Sequence, residues 1–156
     1  KFRKGHFEGV LDVMNKLTQI VKPKKIFMGE KDFQQLYLVK KKLEKKYKTK
    51  VIPCKTIRDR NNVALSSRNY LLKKPNLLIA AKIYEKLAGI KKYIKNKKNV
   101  TSFLNLQKKE LKNNYKIKID YLELRNIKNL KISSTNKNSR LFIAYYLNNV
   151  RLIDNL

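Results

Sequence analysis

Residues 26–36 read IFMGEKDFQQL. The apolar run Ile26–Met28 ends at Gly29, as a buried strand running into a turn does. Asp32 then begins a helix, and Gln35 stands three positions later, as in a capping box. The stretch therefore predicts a strand, a glycine turn and the first turn of a helix.

The segments on either side repeat this alternation of helix and strand. Apolar residues at helical spacing follow Gly9 and continue to Val21, shortly before Pro23. The run Val51-Ile52-Pro53 predicts a second strand. Helix, strand, helix and strand with short connections favour the α/β class, a parallel sheet with covering helices. Ligands of such sheets bind at the carboxyl ends of the strands.

The pattern changes after residue 57. We expect a first domain over 1–57, a polar connection over 58–63 and a small α+β domain over 64–156. Within that second domain, the spacing predicts a helix that starts at Pro75 and a weaker one over residues 101–112. Strands are predicted at 117–125, 141–146 and 150–154, with an Asn148-Asn149 turn before the last one. The second domain is therefore expected to contain an antiparallel hairpin.

The composition is strongly basic. The 156 residues include 39 Lys plus Arg against 11 Asp plus Glu, a formal net charge of +28. A basic, non-catalytic nucleic-acid-binding module is therefore the alternative function. However, only seven basic residues are Arg, which contacts bases and phosphates best, and the charge is spread along the whole chain. We interpret the basicity mainly as a compositional bias and expect no specific nucleic-acid partner.

Cysteine usage and hydropathy exclude several other classes. The single Cys54 excludes an internal disulfide, and one Cys with one His excludes a closed zinc site built from this chain. No apolar run has the length of a membrane span, and no segment resembles a signal peptide. We expect a cytoplasmic protein that does not contact membranes.

The segment Gly29–Gln35 is the first candidate binding site. A glycine at the carboxyl end of a strand lets a ligand approach the backbone, and the following helix start favours anions. Lys31 suits a phosphate or carboxylate, Asp32 can accept hydrogen bonds from ribose hydroxyls, and Gln35 can bind a small polar substrate. The alternative is structural: Asp32 caps the helix, Gln35 completes the capping box and Lys31 faces solvent.

The second candidate is the loop Leu65–Asn69, which reads LSSRN. The hydroxyls of Ser66 and Ser67 and the guanidinium of Arg68 suit a polyphosphate, because Arg stabilises charge on a leaving pyrophosphate. The alternative is a serine helix cap with a surface Arg. Since one candidate ends a strand and the other opens the next domain, both could face a shared cleft.

His6 is the third candidate. It stands between Gly5 and Phe7, and a histidine side chain can bind a substrate or shuttle protons. A lone His before a helix is more often a cap or a hydrogen bonder of the core, so this alternative stays open.

Four segments together resemble one known family. They are RKGHFEGV at 3–10, FMGEKDFQQL at 27–36, ALSSRN at 64–69 and RLIDN at 151–155. In sequence, order and spacing they resemble the pantothenate synthetases, or pantoate-beta-alanine ligases. The resemblance covers essentially the whole chain. It implies a Rossmann-like nucleotidylyl-transferase domain followed by a smaller α+β domain.

The resemblance also implies a reaction. The carboxylate of pantoate attacks the α-phosphorus of ATP and gives pantoyl adenylate and pyrophosphate. The amine of β-alanine then attacks the adenylate and gives pantothenate and AMP. The family further implies a homodimer and Mg²⁺, whose ligands we expect among the phosphates and residues outside this chain.

Site residues follow from the same resemblance. Lys31 and Arg68 would act on the reacting phosphates. The ATP site would comprise Gly29, Glu30, Lys31, Asp32, Ile57, Leu65, Ser66, Ser67 and Arg68. Asp32 would bind the ribose, and Ile57 would meet adenine through its backbone. Gln35 would bind pantoate, with Arg3 and His6 bordering the pantoate side.

The chain also departs from the family pattern. Lys4 replaces a common Pro, and Asn61-Asn62 replaces a usual acidic residue and Gly. The chain begins at Lys1, and the family's amino-terminal strand and helix have no counterpart here. That absent part carries a His-x-Gly-His motif and a second Gln that binds pantoate. We therefore expect this chain to be part of a longer polypeptide and to be inactive alone.

Overall fold

The computed structural model describes residues 5–94 and 99–156. The chain divides into two compact units, Lys1–Thr56 and Ile57–Leu156. The helices are α1 (His6–Val21), α2 (Phe33–Lys46), α3 (Lys74–Ile94) and α4 (Val100–Tyr115). The strands are β1 (Lys25–Gly29), β2 (Lys50–Cys54), β3 (Lys118–Asn126), β4 (Ser139–Leu147) and β5 (Val150–Asn155). Two short 3₁₀ helices span Glu30–Asp32 and Ser67–Leu71.

The first unit is built on a parallel pair of strands. β1 and β2 pair in register, with Ile26 opposite Val51, and α2 forms the connection between them. Leu36, Val39 and Leu43, at helical spacing on α2, are buried with Val51. The predicted parallel arrangement of helix, strand, helix and strand is confirmed.

Helix α1 begins earlier than the apolar spacing predicts. We expected it after Gly9, but it starts at His6. Gly5 precedes it at φ +76°, a left-handed conformation that costs glycine little, and its carbonyl accepts a hydrogen bond from the N–H of Gly9 at 3.0 Å. The predicted start was wrong: Gly5 is the residue that precedes the helix, and Gly9 lies within the first turns of the helix.

The second unit combines an antiparallel sheet with two helices. The strand order is β3-β4-β5, so β4 is paired on both sides. Its run Leu141–Tyr145 is buried, and Leu141, Ile143 and Tyr145 belong to one core with apolar residues of α3 such as Ile83 and Leu87. Asn148 has φ 53° in the turn between β4 and β5, as its sequence indicates. The predicted antiparallel hairpin is confirmed, and β3 extends it to three strands.

Helix α4 is longer than the predicted range of residues 101–112. Asn99 caps it, with its side-chain oxygen accepting from the N–H of Ser102 at 3.0 Å. Leu111 and Tyr115 continue the inward face, and the left-handed Lys116 follows the helix. The inward face therefore continues beyond residue 112, and the helix extends to Tyr115.

The surface lysines are largely solvated where the structure describes them. Lys40, Lys41 and Lys42 are exposed on α2, and Lys42 lies 3.9 Å from the carboxylate of Asp12. A second group of lysines, within residues 95–98, lies outside the described residues. Within 5–94 and 99–156, no helix has the length and apolar character needed to cross a membrane.

Candidate functional site

Strand β1 ends at Gly29, and the space beside this residue is open. Gly29 lies opposite Cys54, the last residue of β2, so the two strands reach the same edge. Its backbone torsions, φ −67° and ψ 134°, are available to any residue. A Cβ at this position would meet no atom within 4 Å beyond its chain neighbours in the described residues. The space beside Gly29 is therefore free for a ligand to approach the backbone.

The predicted capping box is not formed. Asp32 does stand at the N-cap position of α2, but its side chain makes no capping hydrogen bond. The three residues Glu30–Asp32 form a 3₁₀ turn, which gives Asp32 torsions of φ −93° and ψ 52° instead of the extended N-cap conformation. The structural alternative for Asp32 was therefore wrong. Its exposed carboxylate is not used by the helix that it precedes.

Lys31 and Gln35 flank this carboxylate in sequence. Lys31 lies in the 3₁₀ turn and Gln35 in the first turn of α2, and both side chains are half-buried. Segment 29–35 therefore combines open backbone, a cation, a carboxylate and an amide at the carboxyl edge of a parallel sheet. Such a combination suits a ligand that carries both anionic and hydroxyl groups.

The candidates at the start of the chain are described only in part. His6 is the first residue of α1, half-buried, and its ring centroid lies 5.4 Å from that of Phe7. Arg3 lies outside the described residues. The expected role of Arg3 at the pantoate side therefore rests on the resemblance alone.

The second candidate segment, residues 65–69, lies in the second unit. It follows a turn that is held together by backbone hydrogen bonds. The N–H of Leu65 donates to the carbonyl of Ile57 at 3.0 Å, and Arg58 and Ala64 form an antiparallel bridge. Between them, a carboxylate oxygen of Asp59 accepts from the N–H groups of Asn61 and Val63, at 2.9 Å each. These bonds define a tight turn over residues 57–65.

Asn62 occupies the left-handed position of this turn. Its φ is 63°, a conformation that glycine adopts freely and asparagine tolerates better than most residues. The resemblance places Gly at this position in the family. The departure from the family pattern is therefore compatible with the same turn.

The turn leads directly into the serine-rich loop. The Oγ of Ser66 accepts a hydrogen bond from the N–H of Arg68 at 3.1 Å and caps the short helix Ser67–Leu71. The side-chain amide of Asn69 donates to the carbonyl of Ala64 at 3.2 Å. The cap predicted as the structural alternative is thus present at Ser66. It leaves the side chains of Ser67 and Arg68 exposed.

Two large apolar side chains lie beside this polar loop. Ile57 and Leu65 are exposed, at 72% and 51%, although their backbones are hydrogen-bonded to each other. Exposed apolar side chains next to a cluster of polar groups fit a ligand with a flat apolar part and an anionic part.

Arg58 and Asp154 form a part-buried ion pair that sequence reasoning missed. Nη1 and Nη2 of Arg58 donate to the two carboxylate oxygens of Asp154 at 2.7 and 2.8 Å. The guanidinium also lies 4.3 Å from the ring centroid of Tyr84. The two residues are 96 positions apart, so no local spacing could have indicated their contact.

The contact with Asp154 influences the pKa of Arg58 and of the neighbouring Tyr145 phenol. Burial would lower the pKa of Arg58, but the hydrogen bonds and charge of Asp154 more than offset it and raise that pKa. Burial, together with the charge of Asp154, raises the pKa of the Tyr145 phenol, which therefore stays neutral. Arg58 is a permanent cation whose charge is balanced by Asp154.

Comparison with known proteins gives a family match along the whole chain. The family model described as pantoate-beta-alanine ligase matches residues 1–156. The pantothenate synthetase of Flavobacterium psychrophilum is 40% identical over 162 residues, which cover 100% of this chain and 56% of that protein. That of Francisella tularensis subsp. novicida is 40% identical over 156 residues, which cover 99% of this chain and 51% of that protein. The chain spans about half the length of the curated relatives it matches.

Solved structures are similar over the same extent. The pantothenate synthetase of Thermus thermophilus superposes with a TM-score of 0.88 at 30% identity, covering 99% of this chain and 56% of that one. The pantoate-beta-alanine ligase of Francisella tularensis gives a TM-score of 0.75 at 35% identity, covering 99% of this chain and 51% of that one. That second structure is a complex with beta-gamma ATP and beta-alanine.

Proposed function

The chain belongs to the pantoate-beta-alanine ligase family, and from this premise we propose that it supplies part of an enzyme that condenses pantoate with β-alanine at the expense of ATP. The products are pantothenate, AMP and pyrophosphate. The family match over residues 1–156 carries this proposal. The open backbone at Gly29 and the unused carboxylate of Asp32 support it, because both suit a nucleotide.

The first step is adenylation. A carboxylate oxygen of pantoate attacks the α-phosphorus of ATP, a new P–O bond forms, and the bond to the leaving pyrophosphate breaks. Negative charge grows on the transferring phosphate and on pyrophosphate, so cations placed there stabilise the transition state. We assign this role to Lys31, beside the open edge, and to Arg68, exposed after the Ser66 cap.

The second step is aminolysis. The amine of β-alanine attacks the carbonyl carbon of pantoyl adenylate, the C–N bond forms, and the C–O bond to AMP breaks while the amine loses a proton. Lys31 and Arg68 have less to contribute here, because the electron pair of the broken C–O bond adds charge only to the phosphate of AMP and no pyrophosphate leaves.

The remaining residues bind the substrates. Asp32 accepts hydrogen bonds from the ribose hydroxyls, and Gln35 binds pantoate, with Arg3 and His6 at the pantoate side. Ile57 and Leu65 lie against adenine, with Ile57 contributing its backbone. Gly29, Glu30, Ser66 and Ser67 complete the surroundings of the phosphates. Exposure of the Ile57 and Leu65 side chains is consistent with this adenine contact.

Mg²⁺ is expected with ATP in this family. Hard cations of this kind bind carboxylate oxygens, phosphates and water. No group of three or more metal-ligating side chains occurs in the part of the chain that the structure describes. We therefore assign no residue of this chain to Mg²⁺. A cytoplasmic location and a homodimer are likewise proposals that rest on the family.

The proposal is tested with the natural full-length polypeptide that carries these 156 residues. The protein is supplied with ATP, Mg²⁺, pantoate and β-alanine, and nucleotides and pantothenate are followed by chromatography. AMP and pantothenate should form in equal amounts, and AMP formation should require pantoate. Formation of ADP, or of AMP without pantoate, would contradict the adenylate route.

A further inference from the structure

Two part-buried Arg–Asp ion pairs lie in the described residues of the second unit, one bidentate and the other made through Nε of the arginine. Arg58 and Asp154 have side-chain exposures of 17% and 9%, and Arg151 and Asp120 have exposures of 23% and 8%. Arg58 of the first pair is hydrogen-bonded to Asn62, in the segment that leads into the serine-rich loop, whereas Arg151 is hydrogen-bonded to Asp120 on β3. A comparison of the two pairs therefore distinguishes a role in positioning the loop from a general contribution to stability.

Arg58 contacts the turn over residues 57–65 through both its backbone and its side chain. Its backbone bridges to Ala64, and its Nη1 also donates to the carbonyl of Asn62 at 3.0 Å. The same guanidinium is fixed by Asp154 on β5 and stacks on Tyr84 of α3. The turn is therefore attached through one side chain to the sheet and to a helix of the unit.

Asp154 is itself held in place. It lies on β5, opposite Ile143 of the buried central strand, and its Oδ1 accepts from the N–H of Asn155 at 2.7 Å. The anchor of the turn therefore lies on a paired strand of the sheet, whereas Ser67 and Arg68 on the loop are exposed.

A buried ion pair is a weak source of stability, because a well-packed apolar pair at the same position is often as stable. Such a pair does impose geometry, since a bidentate contact fixes both the distance and the orientation of the two groups. Both carboxylate oxygens already accept from Arg58, so the charge of Arg58 is balanced within the protein.

We propose that Arg58 and Asp154 are positioning residues that hold the turn over residues 57–65, and with it Ser66–Arg68, in the form that binds the triphosphate. This inference rests on the proposed ATP-dependent function. It assigns a role to two residues that act through the loop and do not touch the nucleotide. Loss of the pair leaves the loop competent for only a fraction of the time, and the apparent Kd for ATP rises by the inverse of that fraction.

The test compares conservative variants of the two pairs in the natural full-length polypeptide. Arg58→Lys and Asp154→Asn remove the bidentate contact, and Arg151→Lys and Asp120→Asn are the matched controls. We expect the first two to raise KM for ATP about tenfold or more with kcat changed by less than about threefold. The controls should lower Tm by a similar amount and leave KM for ATP unchanged. Equal KM values for Arg58→Lys and wild type, or an equal rise in the controls, would overturn the inference.

A second measurement covers the case in which Asp154→Asn fails to fold. Hydrogen exchange at the amides of Val63 and Leu65, whose acceptors are Asp59 and Ile57, reports the turn directly. These amides should exchange faster in Arg58→Lys than in Arg151→Lys, and equal rates would overturn the inference. A wild-type protein without AMP formation would instead overturn the proposed function, because the exchange result does not depend on catalysis.

Discussion

Gly29 lies directly opposite Cys54 in the parallel pairing of β1 with β2. The last residues of the two strands therefore stand side by side, about 4.8 Å apart, at the carboxyl edge of the sheet. Cys54 is exposed, so its thiol is a chemical reporter for whatever binds at Gly29.

The first prediction uses this thiol. ATP bound beside Gly29 should slow the alkylation of Cys54 by a maleimide, because the nucleotide covers the strand ends. The rate is followed by mass spectrometry of the peptide that carries Cys54 in the full-length polypeptide. AMP at the same concentration is the control for the contribution of the terminal phosphates. An alkylation rate unaffected by saturating ATP would mean that the nucleotide lies elsewhere.

The second prediction concerns the two cations assigned to adenylation. Lys31→Ala and Arg68→Ala should each lower the rate of AMP formation about 10²- to 10³-fold, as loss of a preorganised electrostatic contact does. Attack of β-alanine on supplied pantoyl adenylate should be affected less, so the two half-reactions are measured separately. Lys45→Ala, on the exposed last turn of α2, is the matched control and should keep wild-type rates. Equal losses in both half-reactions would indicate misfolding.

The third prediction separates a binding role of Asp32 from a capping role. Because the carboxylate makes no capping hydrogen bond, Asp32→Ala should leave the free energy of unfolding nearly unchanged and weaken ATP binding. Asn99→Ala removes a formed cap and should cost about 0.5–2 kcal/mol. Chemical denaturation and nucleotide titration of both variants give the comparison. A stability loss at Asp32 as large as that at Asn99 would restore the capping interpretation.

The fourth prediction concerns the 156-residue chain expressed alone. Among the described residues, the core of the first unit holds four buried apolar side chains and that of the second holds twenty. β1 pairs only with β2 in that part of the chain, and Leu17, Ile20 and Phe27 are exposed apolar residues. Trypsin should therefore degrade residues 1–56 first and spare a carboxyl-terminal fragment.

Lysines occur throughout both units, so the distribution of cleavage sites does not by itself favour this order. Fragments are identified by mass spectrometry over a time course. Survival of an intact first unit after the second has been digested would contradict the prediction. It would show that the small core is sufficient to protect the first unit from trypsin.

Local sequence patterns predicted most elements of the fold. The strands at Ile26 and Val51 and the buried run from Leu141 are short apolar segments bounded by turn residues, and each became a strand. The errors fell where glycine or a polar side chain had two possible roles. Gly5 rather than Gly9 precedes α1, and the 3₁₀ turn before Phe33 prevents Asp32 from capping α2.

The candidate site was predictable only where its residues form contiguous motifs. Segments 29–35 and 65–69 can be recognised from the sequence because each carries its polar groups on neighbouring residues. The Arg58–Asp154 contact depends on the pairing of β5 in a finished sheet, and nothing near Arg58 in sequence indicates its partner. The roles assigned to the site residues stay predictions until the variants are measured.

Isotope transfer distinguishes activation of pantoate as an acyl adenylate from other routes to pantothenate. Pantoate labelled with ¹⁸O in its carboxylate is supplied with ATP and β-alanine to the full-length polypeptide, and AMP is analysed by mass spectrometry. One labelled oxygen should appear in the phosphate of AMP, because the attacking carboxylate oxygen stays on phosphorus when the amine cleaves the acyl C–O bond. AMP without label, with pantothenate formed, would contradict the adenylate route.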